Sequence, residues 1–323
     1  MKEFTIRKND AGQRLDRFIA KSVPLLPASL AQKYIRIKRI KINGRGADRD
    51  AKLSVGDTVQ MYINDEFFDT PSVENAYLRI TSPNLDIIYE DENILLVNKE
   101  AGVLCHSGGN AAQVTLIDRI QAHLYLKSEW KPREENSFTP ALCNRIDRNT
   151  SGIVIAAKNA EALRIINEKI KVHEIDKYYL CIVHGRLSPP SGRLEGYLFK
   201  DAAKNRVFVH DHSQKGTRTA VTEYKTLAYS DNLSLLECLL LTGRTHQIRA
   251  QLADARHPLL GDGKYGSEKL NHPYRERVQA LCSYKLIFSF KTDASMLNYL
   301  NGNAYSVRKI NFVDEYFPKY TVD

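Results

Sequence analysis

Apolar positions in the first sixty residues recur at helical spacing and then switch to alternation. Leu15, Phe18 and Ile19 share one face of the stretch from Arg14 to Lys21, and Pro24 with Pro27 stops it. A second helix is predicted from about Ser29 to Ile37, with Leu30, Tyr34 and Ile37 inward and Lys33 and Arg36 outward. Ile40-Lys41-Ile42 alternates into an Asn43-Gly44 turn, and the stretch from Val55 to Ile63 predicts a closing strand. Residues 1–63 therefore read as two helices on a small sheet. Residues 64–84, with Asn64-Asp65-Glu66, Pro71-Ser72 and Ser82-Pro83-Asn84, have the polar, turn-forming composition of a linker.

Residues 85–323 read as a second, larger domain. Asp86 to Lys99 predicts two short strands around an acidic turn. The run Ile153-Val154-Ile155-Ala156-Ala157 predicts an interior strand, entered through a bend at Thr150-Ser151-Gly152. Ala160 to Lys171 spells an amphipathic helix with Leu163, Ile166 and Ile170 inward, and a strand follows from Asp176 to Gly185. Leu239 to Leu252 predicts a strand that breaks at Gly243 and restarts as a helix, with Thr245 suited to its N-cap.

Charge sharpens this division. Residues 1–63 hold 14 of the 47 Lys and Arg and 6 of the 38 Asp and Glu, so +8 of the +9 net charge falls in the first fifth of the chain. A small basic module joined to a nearly neutral larger one suits an anchor for polyanions beside a working domain. The chain has no apolar run of membrane-spanning length and opens into charge, so no membrane partner and a cytoplasmic location are expected. The five cysteines lie dozens of residues apart, mostly in apolar runs, and read as small buried hydrophobes.

One stretch concentrates candidate chemistry. Asn144-Arg145-Ile146-Asp147-Arg148-Asn149-Thr150-Ser151-Gly152 puts a single acid among polar groups at the mouth of the predicted interior strand. If the segment is extended, Arg145 and Asp147 share a face and the guanidinium favours an ionised carboxylate, which can act as nucleophile or base. The same residues would also suit a surface turn in which the acid merely balances two arginines. Arg249, about one turn into the helix predicted after Gly243, could reach Asp147 or a phosphate with a bidentate guanidinium. His210-Asp211-His212 lacks further ligands nearby and reads as a polar hairpin turn, so no metal is expected. The letters from Gly261 to Gly266 match a dinucleotide fingerprint, but Pro273 and Ser267-Glu268-Lys269 leave no long helix for a pyrophosphate.

These blocks, in this order and spacing, closely resemble the RluA family of RNA pseudouridine synthases. That family's catalytic motif reads His-Arg-Leu-Asp, two variable residues, Thr-Ser-Gly and an apolar strand ending near Ala-Lys. Here Asn144 stands for the His, and Ala157-Lys158 supplies the ending. The run from Lys177 to Gly185 is similar to the second motif, with Cys181 for the usual Ala, and the run from Gly243 to Arg249 is similar to the third. Glu100 stands where a Pro is common before Ala101-Gly102. Residues 14–63 resemble the alpha-L RNA-binding domain, with Lys38 where a turn glycine is usual and Ala28-Ser29 for the commoner Ser-Arg.

The resemblance implies an α+β protein: a pseudouridine synthase fold with a mixed, largely antiparallel central sheet, plus the small N-terminal domain. It implies isomerisation of RNA uridine to pseudouridine, with the base flipped out of its stack and no metal or organic cofactor, since there is no net redox change. Asp147 is implied as the group that attacks the ribose anomeric carbon or the uracil ring, Arg249 as its partner, and Tyr179 as a ring that stacks and helps move a proton. Arg145, Lys177, Arg244 and His246 are implied around the substrate, and Lys33, Arg36, Lys38 and Arg39 on phosphates. The alpha-L module points to the RluC/RluD-like branch, a monomer acting on 23S-type ribosomal RNA. The same chemistry on transfer RNA and a non-catalytic RNA-binding assembly protein are the alternatives.

Overall fold

The computed structural model describes residues 1–68, 76–107 and 113–322. Residues 69–75 of the expected linker lie outside them. The chain forms two compact units, one of residues 1–83, 117–141 and 157–164, the other of residues 84–116, 142–156 and 165–323.

In the first unit, β1 (Lys2–Thr5), α1 (Leu15–Ser22), α2 (Ala28–Arg36), β2 (Ile40–Ile42), β3 (Arg45–Gly46) and β4 (Thr58–Met61) form two helices on a sheet of order β1-β4-β2-β3. Leu15, Phe18 and Ile19 of α1 are fully buried with Ile40, Val59 and Met61, so the predicted α1 face is the packed one. The α2 face is rotated from the expected one. Ala31 and Ile35 are buried, Leu30 and Tyr34 half-buried, and Ile37 exposed, because the helix ends at Arg36 and Ile37 points out of its last turn. Lys38 then turns the chain with φ 59°, a left-handed conformation that explains why glycine suits this position.

The same unit is tied by polar contacts that the sequence does not display. Asp10, fully buried, accepts from Ser137 Oγ at 2.6 Å and Asn136 Nδ2 at 2.8 Å. Gln13 Nε2 donates to Ser137 Oγ at 2.9 Å, and Arg164 donates to the Ala11 carbonyl at 3.0 Å. Tyr77 stacks edge-on against Trp130 and Tyr125, within the stretch expected to be linker.

The second unit is built on a large sheet. Its strands are β5 (Ile87–Glu90), β6 (Ile94–Lys99), β7 (Ala141–Leu142), β8 (Ser151–Ala157), β9 (Ile175–His184), β10 (Ser191–Asp201), β11 (Arg206–His210), β12 (Thr217–Ser230), β13 (Leu233–Leu240), β14 (Leu281–Phe288) and β15 (Ala304–Ser306). The helices α5 (Gln247–Asp254), α6 (Glu268–Asn271) and α7 (Asn311–Tyr316) belong to this unit, whereas α3 (Leu116–Leu126) falls in the first unit from Ile117 on and α4 (Ala160–Lys171) is divided between the two at Arg164. The order is β11-β10-β12-β13-β9-β14-β8-β6-β5, with β15 on β14 and β7 on β8. Pairings from β11 across to β14 are antiparallel and β14–β8 is parallel, giving the mixed, mainly antiparallel sheet. β8 is buried from Gly152 to Ala157, as a continuous apolar run requires. No helix among the described residues is long and apolar enough to cross a membrane.

Candidate active site

The segment before β8 is irregular, and it is held from several sides. Asn144 Oδ1 accepts the Ile155 N–H at 2.7 Å, and the Cys143 N–H donates to the Ile155 carbonyl at 2.7 Å, so the asparagine fastens the segment along β8. The Thr150 N–H donates to the Asp147 carbonyl at 3.1 Å, closing a turn around Arg148 and Asn149. Lys99, fully buried at the end of β6, donates to the carbonyls of Glu100, Val103 and Arg148 at 2.8–2.9 Å. Burial pushes that ammonium's pKa down to about 8.

Gly152 supplies the sharpest constraint. Its φ is +110°, and a Cβ built there would overlap the carbonyl oxygen of Ser283, the residue it faces across the parallel β14–β8 pairing. Ser283 also faces Tyr179 across the β14–β9 pairing. Register therefore sets Gly152, Ser283 and Tyr179 side by side on three adjacent strands.

Asp147, about a quarter exposed, receives Arg249 Nη1 at 2.8 Å. Its partner is thus Arg249 and not Arg145, which is exposed. The expected Arg145–Asp147 pairing assumed an extended strand, and residues 144–147 form no strand. Arg249 is itself clamped: its Nε donates to Asp262 Oδ2 at 2.7 Å and its Nη2 to Asp262 Oδ1 at 3.0 Å, a bidentate pair. Burial would raise the Asp262 pKa, but the guanidinium and the N–H groups of Lys264 and Tyr265 hold it below the ordinary range. Burial opposes the charge on Arg249, and the two carboxylates more than offset it.

His246 completes the cluster. Its ring carries Nε2 3.7 Å from Asp147 Oδ2 and Nδ1 2.9 Å from the Tyr265 hydroxyl. That hydroxyl already accepts the Val207 N–H at 2.8 Å, so its own hydrogen is available for Nδ1, leaving the imidazole proton on Nε2 toward Asp147. Burial lowers the His246 pKa against the pull of Asp147, favouring the neutral ring. His246, with φ 53°, is also the N-cap of α5; the expected cap Thr245 is exposed one residue earlier. Gln247 organises the turn instead, accepting from the Arg244 N–H and Thr242 Oγ1 and donating to Val221 and Thr222.

Tyr179 is buried beside Ile248, Leu281 and the half-buried Ile146, and burial raises its pKa to about 12. Its phenol is a donor at neutral pH. Lys177 is buried on the same strand with its ammonium 3.4 Å from the Ile175 carbonyl, and Arg244 is exposed, donating to the Thr219 carbonyl at 3.1 Å. Among the described residues neither pairs with Asp147. In the first unit, Lys33, Arg36, Lys38 and Arg39 are all exposed; the first three, with Arg49, line a surface hollow of about 720 Å³, and Arg39 lies over the Tyr34 ring. Asp262, Tyr265, Lys99 and Ser283 are site-building residues that sequence reasoning missed. The available signal was a lysine ending an apolar strand and an acid inside the Gly261–Gly266 stretch.

A carboxylate braced by a buried guanidinium, beside a tyrosine and a neutral histidine, is equipped for covalent or acid–base chemistry. Residues 93–254 match the family model described as RNA pseudouridylate synthase. An uncharacterized RNA pseudouridine synthase of Mycoplasma capricolum is 32% identical over 305 residues, covering 94% of this chain and 96% of the relative. The ribosomal large subunit pseudouridine synthase D of Borreliella burgdorferi is 30% identical, covering 88% of this chain and 84% of its own. The solved structure of human RNA pseudouridylate synthase domain containing 4 shares the fold with a TM-score of 0.55 at 18% identity, over 74% of this chain and 94% of that one. The chain belongs to the RNA pseudouridine synthases, within the RluA family, and is an isomerase of RNA uridine.

Proposed function

We propose that this enzyme modifies uridines of large-subunit ribosomal RNA, with Asp147 as the reacting carboxylate. The observation that carries the residue assignment is the Arg249 clamp, which fixes one Asp147 oxygen through Nη1 while Asp262 fixes the guanidinium. The relatives named for the ribosomal large subunit, matched over most of both chains, support the target. The reaction breaks the C1′–N1 bond, turns the uracil and forms C1′–C5; the C5 proton leaves and N1 ends protonated, so atoms balance without a redox partner. Asp147 attacks the ribose or the uracil ring, and Arg249 disperses the charge that returns to it when that bond breaks. Tyr179 borders the reacting base and offers a hydroxyl hydrogen. Arg145, exposed two residues before Asp147, fills the place that the flipped base vacates. On this reading the protein is a cytoplasmic monomer whose residues 1–63 form an alpha-L RNA-binding domain, joined through residues 64–84 to a catalytic domain of residues 85–323.

The test is tritium release from ribosomal RNA carrying uridine labelled at C5 and lacking its modifications. Release from large-subunit RNA and not from transfer RNA is the expected result. Tight binding to ribosomal RNA with no release from either RNA would replace the reading with that of an assembly protein.

Lys33, Arg36, Lys38 and Arg39 carry the expected phosphate contacts of the N-terminal module. Exchanging all four for glutamine should flatten the dependence of log K on log salt by about 3.6, at a slope of roughly −0.9 per duplex phosphate contact. Filter binding between 50 and 200 mM salt reads this directly, and an unchanged slope would remove the module from the RNA interface.

A further inference from the structure

The hairpin β10–β11 carries a surface that the Asp147 cluster does not use. Phe199 and Phe208 are direct cross-strand partners, so both rings stand on the same face, and each is 38% exposed. Their strand neighbours Leu198 and Val207 point the other way and are buried with Ala220 and Ala250. The hairpin thus spends its inner face on packing against α5 and leaves two aromatic rings outside.

Those rings sit among cations. Lys204 Nζ lies 5.9 Å from the Phe208 centroid and the Arg206 guanidinium 6.0 Å from it, while the His210 ring meets Phe199 edge-on at 6.4 Å. Arg206 also links the hairpin to the site: its guanidinium is 5.1 Å from the Tyr265 ring, and the Arg249 guanidinium is 5.2 Å from the same ring. A continuous path of ring and cation contacts runs from the partner of Asp147 through Tyr265 and Arg206 to Phe208. Exposed rings flanked by Lys and Arg are the chemistry that holds single-stranded nucleic acid, with bases on the π faces and phosphates on the cations.

We propose that Phe199 and Phe208 form a stacking platform for unpaired nucleotides flanking the target uridine, with Lys204 and Arg206 on their phosphates. The inference rests on the reading of Asp147 as the reacting group, because that reading places the target base at the other end of the path. A flipped uridine leaves its neighbours unstacked, and this platform gives them replacement surfaces.

The probe is a single-stranded uridine decamer carrying one central 2-aminopurine, whose fluorescence falls when it stacks. With the full chain, binding should quench the probe. Phe199→Leu with Phe208→Leu keeps apolar area but loses both π faces; it should abolish the quench and weaken binding at least tenfold, with an unchanged salt slope. Phe199→Tyr with Phe208→Tyr should restore both, which a merely structural need for the hairpin would not distinguish from leucine. Lys204→Gln with Arg206→Gln should weaken binding with a shallower slope. Leucine variants that keep their melting midpoint yet bind and quench like the native chain would overturn the platform. Native quench without tritium release from any RNA would leave the platform standing and sink the Asp147 reading. Native release with an unchanged KM in the leucine variant would do the reverse.

Discussion

Asp147→Asn should abolish tritium release, by at least about 10³-fold in kcat/KM, while RNA affinity stays within about twofold. Asparagine has nearly the same shape, and its oxygen can still accept from Arg249 Nη1, so the turn from Asp147 to Thr150 and the clamp on Asp262 persist. What it lacks is the anion. Loss confined to the chemical step separates a reacting carboxylate from one that merely shapes the loop. A variant that retains more than about a tenth of the native rate would assign the chemistry elsewhere in the cluster.

Arg249→Met should be the most damaging single change to stability. The methionine fills much of the space but leaves the Asp262 carboxylate, fully shielded from solvent, with no counter-charge; removing one member of a buried pair costs about 3–5 kcal/mol. Urea unfolding would read this as a lower midpoint at unchanged slope. The sign of the pH dependence follows from Asp262. Its folded pKa is lowered, so its contribution is present above the ordinary carboxyl range and is lost as pH falls through the depressed value. In Arg249→Met that acid-side loss should shrink, because the guanidinium that favours the ionised form is gone and only the N–H groups of Lys264 and Tyr265 still do so. Arg249→Met combined with Asp262→Asn should recover part of the stability but no tritium release. Full recovery of release would show that Arg249 serves only the fold.

Much of this site is legible in the chain because its pieces are local blocks. The bend into an apolar run located β8, the run from Asp176 to Gly185 located β9, and the strand-to-helix break put Arg249 on α5. What escaped was set by distance. Asp262 pairs with Arg249 across an irregular turn with no period to betray it, and Lys99 reaches the carbonyl of Arg148, 49 residues away. The Arg145–Asp147 pairing failed for the complementary reason. It applied strand alternation to a segment, residues 144–147, that forms no strand. At Lys38 the two levels agree: a residue departing from the expected glycine still adopts the glycine-like backbone. The burial of Asp10 beneath Asn136 and Ser137 belongs to the same class of long-range polar contact that no window of sequence contains.

The overlap that any side chain at position 152 would make with Ser283 also bears on which partner bends when enzyme meets RNA. The segment carrying Asp147 leaves that glycine directly, and Asn144, Lys99 and Thr150 hold it on its other sides. A loop fixed at both ends has little freedom to reach for a base still inside a helix. On the proposed reading, the work of deformation therefore falls on the nucleic acid, and the rate of modification becomes a readout of how readily the target opens. Uridines in mismatched or unpaired settings would then be modified ahead of those in stable duplex, with selectivity arising from the local melting of the RNA as well as from contacts on the protein.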